Sequence, residues 1–196
     1  SSVGFDDSSW IPATVPGTVL TSYYEAGLID DPYYSDNMDK LDQDYYNVDY
    51  WYRKDVEIPA DYAGQRMLLN FDAINWQSDI FINGQKVGIM RGAFDQGEFD
   101  VSQYLVPGET NTIAVNVHIY PTATQETDWT PNFICSGGWD WMPPIPGRNI
   151  GIYKDVYLST KKEVSVDAPF VVTDLPLPDT DSADIRVSTD LVNDSS

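Results

Sequence analysis

The chain has 196 residues, a length that buries a substantial core without disulfides or metal ions to support it. Its 31 acidic residues against 11 Lys and Arg give a net charge of −20, which excludes a phosphate-neutralising nucleic-acid-binding surface and disfavours an anionic membrane. A single cysteine excludes an internal disulfide, and no apolar run approaches the length of a transmembrane helix. We therefore expect no nucleic-acid or membrane partner, and a neutral or cationic ligand.

The elements in chain order begin with one short helix. Thr18 predicts its N-cap, and Gly27 predicts its end. The later segments alternate between apolar and polar residues, a pattern that indicates strands with one buried face. These predicted strands are 50–58, 67–71, 79–82, 85–89, 113–119, 152–158 and 163–166.

Two short signals punctuate the strands. Asn83-Gly84 lies between two apolar runs and predicts a two-residue hairpin turn. Asp100, with Gln103 three residues later, predicts one capped turn. Many short strands with Gly and Pro between them are typical of a β-sandwich or jelly roll.

Two long stretches, 30–49 and 120–149, lack periodicity. Connections of this length are uncommon in compact domains unless they carry a function, so we expect both at one end of the sandwich, where they would form a binding rim. The first stretch is rich in Asp. Carboxylate oxygens of this kind can bind a structural cation such as Ca²⁺, but the EF-hand spacing is missing, which favours a solvated acidic loop.

The composition changes near the C-terminus. Residues 174–181 contain two Pro and three Asp and predict a linker. Ile185 and Val187 then begin a new alternating strand. The sequence predicts a first domain over 1–167, followed by a linker and the start of a second β domain over 168–196.

Enzymatic signatures are scarce. The one histidine, His118, lies on the polar face of a predicted strand, which favours a solvated or hydrogen-bonded surface group over a catalytic base. One His and one Cys provide no zinc site, and we expect no metal ligand set. With 31 acidic residues, a catalytic carboxylate pair is not recognisable from their number.

The segment 137–144, Gly-Gly-Trp-Asp-Trp-Met-Pro-Pro, has a composition suited to sugar binding. A carboxylate accepts hydrogen bonds from two hydroxyls, and indole rings cover the C–H faces of a sugar. The local pattern also fits a loop whose tryptophans, Trp139 and Trp141, anchor it on the core while Asp140 caps a turn. The high aromatic content, 13%, likewise fits either sheet packing or carbohydrate contact.

Four segments resemble the N-terminal sugar-binding domain of glycoside hydrolase family 2, above all its exo-β-D-glucosaminidase and β-mannosidase branch. They are Trp10–Val19, Asp31–Tyr34 with Trp51-Tyr52-Arg53, Phe71–Trp76 with Asp79–Gly84, and Trp139–Pro143 with Pro146–Val156. Each motif is moderately specific, and the four occur in the order of the family. The resemblance covers roughly residues 10–158.

The resemblance implies an all-β, galactose-binding-like jelly roll that packs against a catalytic (β/α)₈ barrel of the same polypeptide. It implies that Asn75 and Asp140 contact the terminal sugar and that Trp139 and Trp141 wall its pocket. Asn75 also fits a turn-forming asparagine. The tail would then contribute the first strand of a following immunoglobulin-like domain.

The chain departs from the family in two ways. The catalytic acid/base of the family follows an asparagine, but no Asn-Glu dipeptide occurs here, and the barrel with its nucleophile is absent. We therefore expect catalysis outside this chain. The usual strand before Trp10 also looks missing or shortened, so the sandwich is expected to lack an edge strand.

Three functions are compatible with these observations. The chain would be an accessory domain that shapes the non-reducing-end pocket of a retaining β-glucosaminidase, β-mannosidase or β-galactosidase. It would alternatively be a free-standing carbohydrate-binding module, or a structural spacer. The first residues, Ser1–Gly4, do not have the pattern of a signal peptide, and we expect an exported parent protein.

Overall fold

A computed structural model describes residues 3–119 and 145–193. The chain divides into two compact units, Ser1–Ser159 and Thr160–Ser196. None of the helices in the described residues has the length and apolar character that crossing a membrane requires.

The predicted helix is confirmed. Helix α1 spans Val19–Glu25, and the Thr18 hydroxyl caps it by accepting a hydrogen bond from the Thr21 backbone N–H at 3.1 Å. Gly27 follows with a φ of +69°, the left-handed conformation that glycine adopts at helix C-termini without steric cost. The remaining helical elements are short: α2 (Gln43–Tyr46) and the 3₁₀ turns Met38–Lys40, Ala60–Tyr62 and Pro146–Asn149.

Among the residues that the structure describes, seven strands of the first unit form two sheets. Their bounds are β1 (Tyr50–Glu57), β2 (Arg66–Phe71), β3 (Gln77–Ile82), β4 (Gln85–Arg91), β5 (Gly97–Asp100), β6 (Thr110–His118) and β7 (Val156–Lys161). The four-stranded sheet has the order β1-β6-β3-β4, and the three-stranded sheet has the order β5-β2-β7. The predicted all-β jelly-roll sandwich is therefore confirmed.

The local predictions differ in accuracy. Asn83 and Gly84 have φ values of +49° and +85°, so the predicted hairpin turn joins β3 to β4. The Asp100 side chain accepts a hydrogen bond from the Ser102 backbone N–H, so the predicted capped turn is confirmed. Strand β5 was not predicted from the sequence, because its four residues are too few to show a period of two.

The core lies between the two sheets. Leu69 and Phe71 of β2 face Ile80 of β3 and Val117 of β6, and each is at most 1% exposed. Gly88 of β4 approaches the Phe99 ring of β5 so closely that an added Cβ would lie 2.2 Å from a ring carbon. The two sheets therefore approach each other closely along the β4–β5 side.

The opposite side of the sandwich is less completely filled. Strands β1 and β7 each end their sheet there, within the described residues. A cavity of about 630 Å³ is lined there by β1 residues such as Val56 and by β7 residues such as Leu158. An additional edge strand would pack on this side and fill the cavity. The absence of an edge strand stays a prediction, and the cavity is compatible with it.

The second unit contains a hairpin of β8 (Val164–Asp174) and β9 (Asp184–Asn193). The predicted linker, 174–181, connects these two strands, and the predicted boundary between residues 167 and 168 falls inside β8. Pro169 is tolerated within β8 because the register shifts between Asp167 and Phe170, a β-bulge that leaves an unpaired position.

Candidate functional site

One end of the first unit brings the two long aperiodic stretches together. The register pairs Tyr50 with Val117 and Gln77 with His118, so the starts of β1 and β3 lie beside the end of β6. The first stretch leads into β1 here. Tyr46, at the end of α2, is 4% exposed and packs on the turn at Gly147, whose added Cβ would lie 3.4 Å from the Tyr46 Cβ. The expected common end of the sandwich is confirmed for the described residues.

Asn75 lies at this end, in the loop between β2 and β3. Its side-chain amide nitrogen donates to the backbone carbonyls of Arg148 and Asn149 at 3.1 and 2.9 Å. Its backbone pairs with Gly151 in both directions at 2.9 Å. Asn75 therefore joins two of the segments that resemble the sugar-binding family, although they are more than 70 residues apart in sequence.

The segment that Asn75 holds has an unusual backbone. Gly147, Arg148 and Asn149 follow one another with φ values of +65°, +54° and +58°. Non-glycine residues rarely adopt this left-handed conformation, and it persists only where neighbouring contacts fix it. Asn75 supplies two such contacts through its amide nitrogen. Further hydrogen bonds run from the Gly17 N–H to the Ile152 carbonyl and from the Val19 N–H to the Ile150 carbonyl.

His118, the last residue of β6, lies between two carboxylates. Its Nδ1 is 2.8 Å from Oδ2 of Asp49, and its Nε2 is 3.3 Å from Oδ2 of Asp79. Partial burial of the imidazole lowers the pKa of His118, but the two carboxylates outweigh this effect and raise the pKa above 6.5. The prediction of a hydrogen-bonded surface group is confirmed. The sequence did not reveal its two acidic partners, because they become neighbours only through the strand order.

Tyrosines form the base of this end. The Tyr23 ring packs edge-on against Tyr46 with centroids 5.1 Å apart, and Tyr45 contacts both rings. Burial, together with the neighbouring Tyr45, raises the pKa of Tyr23 to about 12. Burial likewise raises the pKa of Tyr50. These phenols stay neutral at physiological pH and act as packing groups.

The acidic stretch stabilises its own turns. The Asp31 carboxylate accepts a hydrogen bond from the Tyr33 N–H at 2.9 Å, and Asp36 pairs with Lys40 at 2.7 Å. Within residues 3–119 and 145–193, no group of three His, Cys, Asp or Glu side chains is arranged to hold a metal ion. The cation near this stretch stays an untested prediction.

Of the four predicted sugar contacts, only Asn75 lies within the described residues; Trp139, Asp140 and Trp141 lie outside them. The structure thus gives the position of Asn75 and of the backbone that follows the Trp-Asp-Trp motif. The cavity of about 630 Å³ between β1 and β7 has no lining contribution from Asn75, and we regard it as part of the core edge.

Comparisons with known proteins agree with the fold and with this motif order. The sequence matches the family described as Glycosyl hydrolase 2 galactose-binding domain-like over residues 2–154. An exo-β-D-glucosaminidase of Streptomyces avermitilis is 33% identical over 100% of this chain and 21% of that protein. A mannosylglycoprotein endo-β-mannosidase of Lilium longiflorum is 34% identical over 80% of this chain and 18% of that protein.

Solved structures give the same result. The exo-chitosanase of Amycolatopsis orientalis superposes with a TM-score of 0.82 at 29% identity, over 100% of this chain and 22% of that chain. A β-D-mannosidase from Dictyoglomus thermophilum superposes with a TM-score of 0.74 at 27% identity, over 96% of this chain and 24% of that one. The chain spans about a fifth of the length of the curated relatives it matches. The chain belongs to the galactose-binding-like domain family of the family 2 glycoside hydrolases.

Proposed function

We propose that this chain is a non-catalytic domain of a larger retaining exo-β-glycosidase, in which it shapes the pocket for the sugar at the non-reducing end. The relatives that match it over nearly all of its length are named exo-β-D-glucosaminidases and β-mannosidases, and each is several times longer. In this proposal the catalytic carboxylate pair belongs to a barrel elsewhere in the polypeptide, and the domain positions the substrate.

The observation that carries the proposal is the pair of hydrogen bonds from the Asn75 amide to the carbonyls of Arg148 and Asn149. They join the loop that holds the predicted sugar-binding asparagine to the backbone that follows the Trp139-Asp140-Trp141 motif. Side chains from distant parts of the sequence would thus be presented at one end of a rigid sandwich, which suits a binding site.

The same hydrogen bonds determine which side-chain atom of Asn75 remains able to bind a ligand. Both N–H donors of its amide are used on backbone carbonyls, so its carbonyl oxygen Oδ1 is the atom suited to a sugar. It would accept a hydrogen bond from a hydroxyl or an ammonium group. Asp140 would accept further hydrogen bonds, and a charge-assisted bond of this kind contributes about 1.5–3 kcal/mol.

Substitutions in the full-length enzyme test this role. Asp140→Asn keeps the shape of the side chain and removes its charge, and it is expected to lower kcat/KM by roughly ten- to a hundred-fold, the equivalent of that free energy. Asp61→Asn is the matched control, because Asp61 is an exposed residue in the turn after β1, at the other end of the sandwich. Turnover should be measured on p-nitrophenyl β-D-glucosaminide and on the corresponding mannoside and galactoside. Equal activity of the Asp140→Asn and Asp61→Asn enzymes on all three substrates would contradict the proposal.

The isolated chain separates this proposal from a free-standing carbohydrate-binding module. An accessory domain provides only part of the pocket, so calorimetric titration of the chain with glucosamine, mannose or their β-linked oligomers is expected to show negligible heat. Binding by the isolated chain as tight as that of the full-length enzyme would favour the free-standing module.

A further inference from the structure

We propose that His118 is a positioning residue whose imidazolium form bridges Asp49 and Asp79 and thereby fixes the backbone where the chain leaves β6, at Ile119. The inference rests on the proposed function in one respect, namely that residues 120–144, which follow Ile119, include the predicted sugar contacts Trp139, Asp140 and Trp141. The anchoring itself depends only on described residues.

The geometry favours a doubly protonated ring. Each ring nitrogen of His118 faces a carboxylate oxygen, with Asp49 on the Nδ1 side and Asp79 on the Nε2 side. A neutral imidazole has one N–H donor and one lone pair, so it donates to one carboxylate and repels the other. Only the imidazolium donates to both.

The charges around the ring favour the same form. Asp79 also pairs with Lys86 of β4 at 2.7 Å, and Asp49 precedes β1. Arg91 of β4 lies one strand further away, opposite Gln77, which is itself opposite His118. Two carboxylates and the Lys86 ammonium leave one negative charge beside the ring, and protonation of His118 neutralises it.

The contact reaches the backbone through Asp49. While Oδ2 of Asp49 interacts with His118, its other oxygen, Oδ1, accepts a hydrogen bond from the Ile119 N–H at 2.9 Å. Ile119 is the residue directly before the 120–144 segment. At the other end of that segment, Asn75 binds the carbonyls of Arg148 and Asn149. The backbone before and after that segment, at Ile119 and at Arg148 and Asn149, is thus held by side chains of the sandwich, and the contact at Ile119 is the one that titrates.

The pH range follows from the direction of each pKa shift. Because the pKa of His118 is raised, its stabilising contribution is complete below 6.5 and is lost as the pH rises through the raised value. Burial raises the pKa of Asp79, but hydrogen bonds with Lys86 and His118 outweigh this and hold it below 3.8, so its contribution is lost only as the pH falls through the lowered value. The contributions of Asp79 and His118 to the anchor are therefore both complete between pH 3.8 and pH 6.5.

Nitrogen-15 NMR tests the anchor directly, since His118 is the only histidine of the 196-residue chain. A pH titration should give an imidazole pKa above 6.5, and both Asp49→Asn and Asp79→Asn should lower it. Asp100→Asn is the matched control, because Asp100 pairs with Arg66 on the other sheet and its substitution changes the net charge equally. A wild-type value at or below 6.5, or equal pKa values in all three variants, would overturn the anchor.

A pH profile of the full-length enzyme tests the positioning role. His118→Gln is expected to lower kcat/KM several-fold below the imidazole pKa, with the ratio of wild-type to variant falling towards one at higher pH. A merely structural role would give a ratio independent of pH, and such a flat ratio would overturn the positioning role. Failure of the proposed function has a different signature, because it is reported by Asp140→Asn retaining full activity.

Discussion

At the residue scale, a buried arginine shows that the alternation of polar and apolar residues does not always predict which side chains are exposed. The pattern of β1 places Arg53 on the polar face, and the structure agrees, yet its side chain is only 3% exposed. Residues before α1 lie over this face, and Asp7 pairs with Arg53 at 2.6 Å while Asp55 pairs with it at 2.8 Å. The alternation predicted the face, but no local pattern indicates that a distant segment covers it.

We expect Asp7→Ala to destabilise the first unit, because Arg53 loses a carboxylate partner while remaining largely desolvated. The free energy of unfolding should fall by about 1–2 kcal/mol, a modest cost since Asp55 remains and Asp7 is itself partly exposed. Urea denaturation followed by tryptophan fluorescence measures it. The control is Asp61→Ala, an exposed acid for which we expect no change. A loss no larger than in that control would show that the Arg53 pair contributes nothing.

At the element scale, the resemblance identified the segment 146–156 better than periodicity did. Periodicity predicted a strand over 152–158, whereas β7 begins at Val156. Ile150 and Ile152 are buried although they lie outside the strands. Gly151, between them, pairs with Asn75 in an isolated bridge and not as part of a longer strand. The period of two in the apolar residues predicts which side chains are buried here. It does not indicate which backbone groups this segment pairs with.

Gly151 is the point where this segment approaches the N-terminal segment most closely. It has a φ of +145°, and an added Cβ would lie 2.8 Å from the Gly17 carbonyl oxygen and 2.9 Å from the Thr18 Cα. Gly151→Ala is therefore expected to lower the free energy of unfolding by at least about 2 kcal/mol, through backbone strain and displacement of these neighbours.

Gly64→Ala is the control for the backbone strain at Gly151. Gly64 also has a positive φ, +78°, but no atom lies within 4 Å of its added Cβ. It should lose only about 1 kcal/mol, from the left-handed conformation alone. Equal denaturation midpoints for Gly64→Ala and Gly151→Ala would show that the close approach at Gly151 has no energetic weight.

At the scale of the whole molecule, the second unit exposes an apolar face of its hairpin. The pairing places Val166, Val171, Ile185, Val187 and Leu191 on one face of the β8–β9 hairpin, and each is more than half exposed. A two-stranded hairpin needs a further layer to bury such a face. This face fits the start of the immunoglobulin-like domain predicted from the sequence, with two strands present where one was expected.

The fold class could be predicted from the sequence because its signals are local: alternation in β6, the Asn83-Gly84 turn and the Thr18 cap. The site was predicted only through the order of family motifs. Asp49 and Asp79 were not connected with His118, because strand order brings them together. The roles of Asn75 and Asp140 towards a sugar, and the export of the parent protein, stay predictions.

A crystal structure of the full-length enzyme with a bound β-glucosaminide or β-mannoside tests the central claim most directly. Our account predicts the Asp140 carboxylate and Oδ1 of Asn75 within hydrogen-bonding distance of hydroxyl or amino groups of the terminal sugar, at roughly 2.6–3.2 Å. A bound sugar contacted only by residues outside this domain, with Asp140 buried beneath the sheets in an ion pair, would contradict it.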